Sequence, residues 1–345
     1  MSDLSVGVSF SLLAGILNGS FAAPTKYAKN WKWENIWAVW GIVAMFMCPW
    51  ILAFATVPSL FPIYHNAING QLLRLIGFGI GFGLAQIFFG LGVTAVGLSL
   101  GFAIAIGLST AVGSFVPLVV LQSETAFTRK GLTILAGVAL VLVGIVVCAV
   151  AGGVKDKQMK GTAQLQGGDL SSPRSFGTGL VICILAGLGS PLINFGLAFG
   201  APLLSRAAQL GVSPASRANV IWAPLVTASL VPYLAYCTHL WRKNGSSRLF
   251  VLPGTAVNWL LGTIMGLLWM GSFVLYGAAS ARMASMGPIL GWPLFMSVII
   301  VTSNAWGFLT GEWKGVGRQP LGIMLGGIVF LILGFCTLAF AGRLS

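Results

Sequence analysis

The chain has 345 residues, of which 57% are hydrophobic and 7% charged, and its mean hydropathy is +0.94. Six acidic residues stand against 19 Lys and Arg, for a formal net charge of +13. A soluble globular protein of this size needs a charged surface, so this composition excludes one and makes lipid the main solvent.

Crossing the hydrocarbon core takes about 20 apolar residues, and only helices or closed barrels satisfy their backbone there. The apolar runs are continuous rather than alternating, which predicts an all-α integral membrane protein. Ten spans are expected at 5–25, 36–57, 72–94, 97–121, 131–151, 176–199, 218–240, 255–278, 285–310 and 320–342. The first lacks a positive leading segment and nine more follow, so it reads as a helix rather than a signal peptide. The break between the third and fourth, at Val96-Gly97, is very tight, and Pro288, Gly291 and Pro293 interrupt the start of the ninth. Residues 152–175, rich in Gly, Ser, Gln and Lys, are expected to form a flexible linker between 1–151 and 176–345. Pro49, Pro117, Pro191, Pro224 and Pro232 should bend or break the spans that carry them.

The two halves repeat weakly but in order. Leu132 to Gly137, then Gly144 and Ala151-Gly152, match Leu321 to Gly326, then Gly334 and Ala341-Gly342. Leu13-Ala-Gly15 and Ala23-Pro24 match Leu185-Ala-Gly187 and Ala201-Pro202, and Asn35-Ile-Trp37 matches Asn219-Val-Ile-Trp222. A repeat of five spans inverts its second copy, so two inverted five-helix repeats are expected, a recurring transporter plan with the substrate site near the midplane. The 47 glycines, several at close spacing such as Gly77, Gly79, Gly81 and Gly83, let helix backbones approach closely in lipid.

Lys and Arg number 12 in the breaks after spans 1, 5, 7 and 9 and 7 on the other side, which favours cytoplasmic odd-numbered breaks and both termini outside. Their spread over helix-flanking loops also argues against nucleic-acid binding. All five cysteines fall inside spans, without metal spacing. An integral membrane enzyme would need a reactive constellation, yet the only histidines are His65 and His239, and no phosphate-binding loop ends in Gly-Lys-Ser/Thr. No cofactor is expected. A non-transporting scaffold would leave the repeat without a reason.

Several motifs resemble the L-rhamnose–proton symporter family of the drug/metabolite transporter superfamily. They are Ala23-Pro-Thr-Lys26 with Trp31-Lys-Trp33-Glu34, the run Gly101 to Gly107, Trp269 with Tyr276 and Ala281-Arg282, and Gly311-Glu-Trp313 with Gly317-Arg-Gln-Pro320. The resemblance runs from the first span to the last. It implies ten helices in two inverted repeats, a bacterial inner-membrane location, and import of L-rhamnose or a related deoxy-sugar with protons. The chain departs from the family pattern at Ser280, where the family carries His, and in span 3, where Gln86 alone represents an Asn-rich stretch.

A sugar site needs hydrogen-bonding groups for hydroxyls and flat apolar faces for the ring. Amides offer donors and an acceptor together, which nominates Asn18, Gln86, Asn194 and Asn304, with Asn258 nearer a span end. The aromatic candidates are Trp37, Trp40, Phe89, Trp269, Tyr276, Trp292 and Trp306; Trp269 and Trp40 fall deeper, whereas Trp31, Trp33, Trp37, Trp241 and Trp313 at span ends suit an interfacial belt. Lys26 completes the substrate-binding candidates, with interfacial snorkelling as its alternative. No Asp, Glu or His lies mid-span, so proton coupling falls to Glu34 or Glu312 at span ends. The substrate is thus expected to be a small neutral sugar. An exporter or facilitator of another small solute is the second reading, and monomer or homodimer is left open.

Overall fold

The computed structural model describes residues 3–58, 60–65, 70–96, 98–164, 176–311 and 313–344. Ten helices are long and apolar enough to cross a membrane, and we label them α1 to α10. They are α1 (Asp3–Tyr27), α2 (Trp33–Thr56), α3 (Gln71–Gly92), α4 (Leu100–Leu121), α5 (Arg129–Lys155), α6 (Gly177–Gln209), α7 (Asn219–Asn244), α8 (Ala256–Arg282), α9 (Ala284–Leu309) and α10 (Arg318–Ala341). Each lies where a span is expected. No strand occurs among the described residues.

Two differences from the sequence expectation have local causes. The α5 helix continues beyond the bilayer-length segment to Gln164, through residues expected to form a flexible linker. Its extension is held by Lys155, whose Nζ lies 4.9 Å from the Trp313 ring, and by Gln158, whose Oε1 accepts from Gly317 N at 3.2 Å. The rest of that stretch, 165–175, and Gly97 lie outside the described residues. The sixth span is three helical pieces, Phe176–Gly189, Leu192–Phe199 and Ala201–Gln209. Pro191 and Pro202 fall at its two breaks, where a missing N–H and the fixed ring interrupt the ladder.

The chain divides into two compact units, one of Met1–Leu84 and Leu192–Gly291 and one of Ala85–Pro191 and Trp292–Ser345. Each draws on both halves of the sequence. The boundaries cut through α3, α6 and α9.

In the second unit α5 and α10 pack along a glycine seam. A Cβ built on Gly137 would lie 2.7 Å from Leu338 Cγ, and one on Gly144 would lie 2.8 Å from Leu331 Cγ. Conversely, Gly327 meets Cys148 Sγ at 2.6 Å and Gly334 meets Val141 Cγ2 at 2.7 Å. Numbers rise along one helix as they fall along the other, so the two run antiparallel. Each contact maps onto its reciprocal under a shift of 190 residues. The sequence match paired Gly137 with Gly326; packing pairs it with Gly327, while Gly326 has nothing within 4 Å. Away from the seam, Leu132, Val146, Leu325 and Val329 stay exposed, as apolar side chains facing lipid do.

In the first unit the same device occurs twice. Gly79 and Gly83 of α3 would place a Cβ 2.1 Å from Leu225 O and 2.2 Å from Ser229 O of α7. Gly262 and Gly266 of α8 would place theirs 2.8 and 2.6 Å from the Val39 and Val43 side chains of α2. No side chain fits in any of these contacts. Gly77, expected to join this packing, faces open space.

Prolines in α2 and α7 free backbone carbonyls that neighbouring side chains then satisfy. Pro49 follows a π-helical turn, Val43–Met47, and cannot donate to Met45 O. Thr227 Oγ1 of α7 donates there instead, at 3.2 Å, and itself accepts from Trp50 Nε1 at 2.8 Å. Pro224 likewise leaves Val220 O without its helical partner, and Tyr64 Oη donates to it at 3.0 Å. An unmet carbonyl in a membrane core costs several kcal/mol, which is why these side chains sit where they do.

Candidate substrate site

Helix α8 carries the assembly. Trp269, Ser272, Phe273 and Tyr276 stand at i, i+3, i+4 and i+7, hence on one helical face. Against this face other elements of the first unit bring aromatic rings and amides.

The aromatic part is continuous. Trp269 and Phe273 have centroids 4.5 Å apart. Trp40 of α2 meets Trp269 edge to face at 5.5 Å, and Phe82 of α3 stacks on it at 6.4 Å. Phe273 in turn meets Trp222 of α7 at 5.5 Å. Trp37, Phe21 and Tyr233 surround Trp40.

The polar part is equally local. Asn18 Nδ2 of α1 donates to Ser272 Oγ at 2.8 Å, and Ser272 Oγ donates to Trp269 O at 2.6 Å. Tyr276 Oη donates to Asn194 Oδ1 of α6, and Asn194 Nδ2 donates to Pro288 O at 3.1 Å. Two indole donors, Trp40 Nε1 and Trp222 Nε1, are buried without any acceptor. A buried unpaired donor is costly, and sites that bind polar ligands are where such groups are tolerated.

Of the eight residues nominated for substrate binding, five meet here: Trp269, Trp40, Asn18, Asn194 and Tyr276. Lys26 is exposed on the 3-10 turn that ends α1. Gln86 and Asn304 belong to the second unit, both half-buried, with Asn304 Nδ2 bonded to Ile300 O of its own helix at 2.9 Å. Asn258 clasps the Lys29 backbone, donating to its O at 2.6 Å and accepting from its N at 3.2 Å. Trp222 was not nominated. Its only sequence signal was the Asn219-to-Trp222 match with the start of span 2, which bore on an expected repeat and not on a site.

Of the two acids nominated for coupling, Glu312 lies outside the described residues. Glu34 is 3% exposed at the start of α2, where its Oε1 accepts from Asn244 Nδ2 at 2.9 Å and Ser246 Oγ at 2.5 Å. Both histidines are exposed. No group of three or more metal-ligating side chains occurs among the described residues.

The contacts of the α8 face therefore bring together flat rings, hydroxyls and amides, with no charged side chain among the described residues that form them, which is the chemistry of a neutral polyhydroxy ligand. Comparison with known proteins agrees with this chemistry. The family model described as L-rhamnose-proton symport protein (RhaT) matches residues 1–341. The chain belongs to this family. It is similar to the L-rhamnose-proton symporter of Cronobacter sakazakii, 29% identical over 337 residues covering 96% of this chain and 95% of that one. Those of Citrobacter koseri and Escherichia coli O9:H4 are 28% and 27% identical, each covering 96% of both chains. Membership makes the protein a multi-pass transporter and not an enzyme. It does not favour the exporter reading. Ser280, at the departure from the family pattern, is 5% exposed and packs on Gly287, whose built Cβ would lie 2.2 Å from Ser280 Oγ.

Proposed function

We propose that the protein imports L-rhamnose or a closely related deoxy-sugar across the bacterial inner membrane, with protons, by alternating access. The observation that carries this is the α8 face: Trp269 and Phe273 offer apolar faces, Asn18 and Asn194 flank them, and Trp40 Nε1 and Trp222 Nε1 are donors without acceptors. A deoxy-sugar has one apolar methyl edge and a ring of hydroxyls, which such a surface matches. The antiparallel α5–α10 seam and the two reciprocal glycine contacts of the first unit support an origin by inverted duplication. Smooth glycine contacts also allow helices to slide past one another. The distribution of Lys and Arg favours both termini outside.

The test is uptake of labelled sugars into proteoliposomes with and without an imposed proton gradient. Accumulation of L-rhamnose above equilibrium, collapsed by a protonophore, is expected. If no sugar of a monosaccharide panel accumulates under an inward proton gradient, the reading is wrong.

A further inference from the structure

Both ends of the α2–α7 pair are fastened by an asparagine. Asn35, at the start of α2, donates Nδ2 to Ser246 O at 3.0 Å, just beyond the end of α7. Asn219, at the start of α7, donates Nδ2 to Thr56 Oγ1 at 2.9 Å, at the end of α2. The brackets correspond, as the two ends of an antiparallel pair. Their chemistry differs in one respect.

Among the described residues only the first bracket contains an acid. Glu34 Oε1 accepts from Asn244 and Ser246, which flank Gly245 in the left-handed turn (φ +59°) that ends α7. The second bracket holds Asn219, Thr56 and Tyr64, whose hydroxyl donates to Val220 O. Burial pushes the Tyr64 phenol well above its ordinary value. Neighbouring His65 is exposed and forms no bond to the seam.

Among the described residues no cation forms an ion pair with Glu34. Lys32, before α2, acts on it through its field, but Lys32 Nζ donates to Asn244 O at 3.4 Å. From α7 the Cys237 thiol lies within electrostatic range. Arg242, Lys243 and Arg248 flank the turn, exposed and without an ion pair to Glu34. From α8, Asn258 binds the Lys29 backbone instead. Asn244 is itself exposed, so one side chain separates the carboxylate from water.

We propose that Glu34 is a proton-operated latch on one end of the α2–α7 seam: ionised, it holds the Asn244–Ser246 turn shut, and protonated, it releases it, while the Asn219 end is indifferent to pH. A proton from water adds to one carboxylate oxygen. Ser246 and Asn244 then lose a charged acceptor, and bonds between neutral groups are about half as strong. The proposal rests on the proton-coupled reading above, but its test needs no sugar.

The experiment is hydrogen–deuterium exchange of the protein in lipid nanodiscs at pH 3 and pH 8, corrected for intrinsic rates. Backbone amides of 244–248 are expected to exchange roughly tenfold faster at pH 3, the loss of one charged hydrogen bond. Amides of 217–221 at the other end should not change. Glu34→Gln should exchange fast at both pH values, and Ser246→Ala should raise the pH 8 rate towards the acidic one. A wild type with no pH step at 244–248, or a Glu34→Gln variant that keeps the step, overturns the latch, as does an unmoved Ser246→Ala. Should Glu34→Gln not fold, the wild-type step and Ser246→Ala decide alone. Failure of rhamnose uptake with the exchange step intact overturns the transport reading and supports the latch.

Discussion

The indoles of Trp40 and Trp269 meet edge to face, with centroids 5.5 Å apart and planes at 83°, and Trp40 Nε1 is buried beside this contact without an acceptor. Stability and binding should therefore respond oppositely at Trp40. Trp40→Phe removes an unpaired donor that costs about 1–3 kcal/mol to bury, offsetting part of the lost packing. Its melting temperature should stay within a few degrees of wild type. Its KM for sugar should rise roughly tenfold, the worth of one lost hydrogen bond to a hydroxyl. Unchanged KM with lowered melting temperature would make Trp40 a packing residue only.

Adjacent glycines on α10 should behave differently. Gly326 has nothing within 4 Å, whereas a Cβ on Gly327 would lie 2.6 Å from Cys148 Sγ and 2.8 Å from Cys148 N. The second contact involves backbone and cannot be relieved by a rotamer. Gly326→Ala should therefore be neutral or slightly stabilising. Gly327→Ala should lose about 1–3 kcal/mol, as overpacking does. Thermal melting in detergent separates the two.

That pair also shows what the sequence could reveal. Ten spans were legible because lipid imposes one rule on every helix, a run of about 20 apolar residues. The weak matches between the two halves were legible in their order. The packing register of α5 on α10 was not, because Gly326 and Gly327 are identical as letters and differ only in which way they face. The gathering of Trp269, Asn18, Asn194, Trp40 and Tyr276 followed from the cost of polar groups in lipid, which sends them inward together. Trp222 escaped notice because an orphaned indole N–H exists only once neighbours are placed. The helix through 152–164 escaped because its Gly and Lys composition reads as linker, while Lys155 and Gln158 are held by partners remote in sequence.

The hydroxyl of Thr227 should matter only while Pro49 is present. It donates to Met45 O, the carbonyl that Pro49 deprives of its helical donor. Thr227→Val should cost about 1–3 kcal/mol by leaving that carbonyl unmet. In a Pro49→Ala background the backbone N–H at 49 can return to the ladder, and the same substitution should then cost well under half as much. A double-mutant cycle by chemical denaturation measures the coupling. Equal costs in both backgrounds would remove the proline from the explanation.

Asn18 joins two possible roles, a bridge from α1 to α8 and a contact for sugar, and its partner separates them. Asn18 Nδ2 spends one donor on Ser272 Oγ, whose own hydrogen goes to Trp269 O. Ser272→Ala breaks the bridge and leaves the amide in place. Asn18→Leu removes bridge and amide together while keeping the volume. If the amide serves only the bridge, both variants should lower the melting temperature alike and leave sugar affinity alike. If it serves the substrate, Ser272→Ala should keep uptake within about threefold of wild type, while Asn18→Leu should raise KM by tenfold or more, since the site would hold hydroxyls it no longer satisfies. Sugar-dependent stabilisation against heat gives the same answer without transport, because a ligand that binds only the folded protein raises its melting temperature in proportion to its affinity. We expect the second pattern, because Asn18 is linked through Ser272 to the backbone of Trp269 and its Nδ2 retains a second hydrogen that Ser272 does not take.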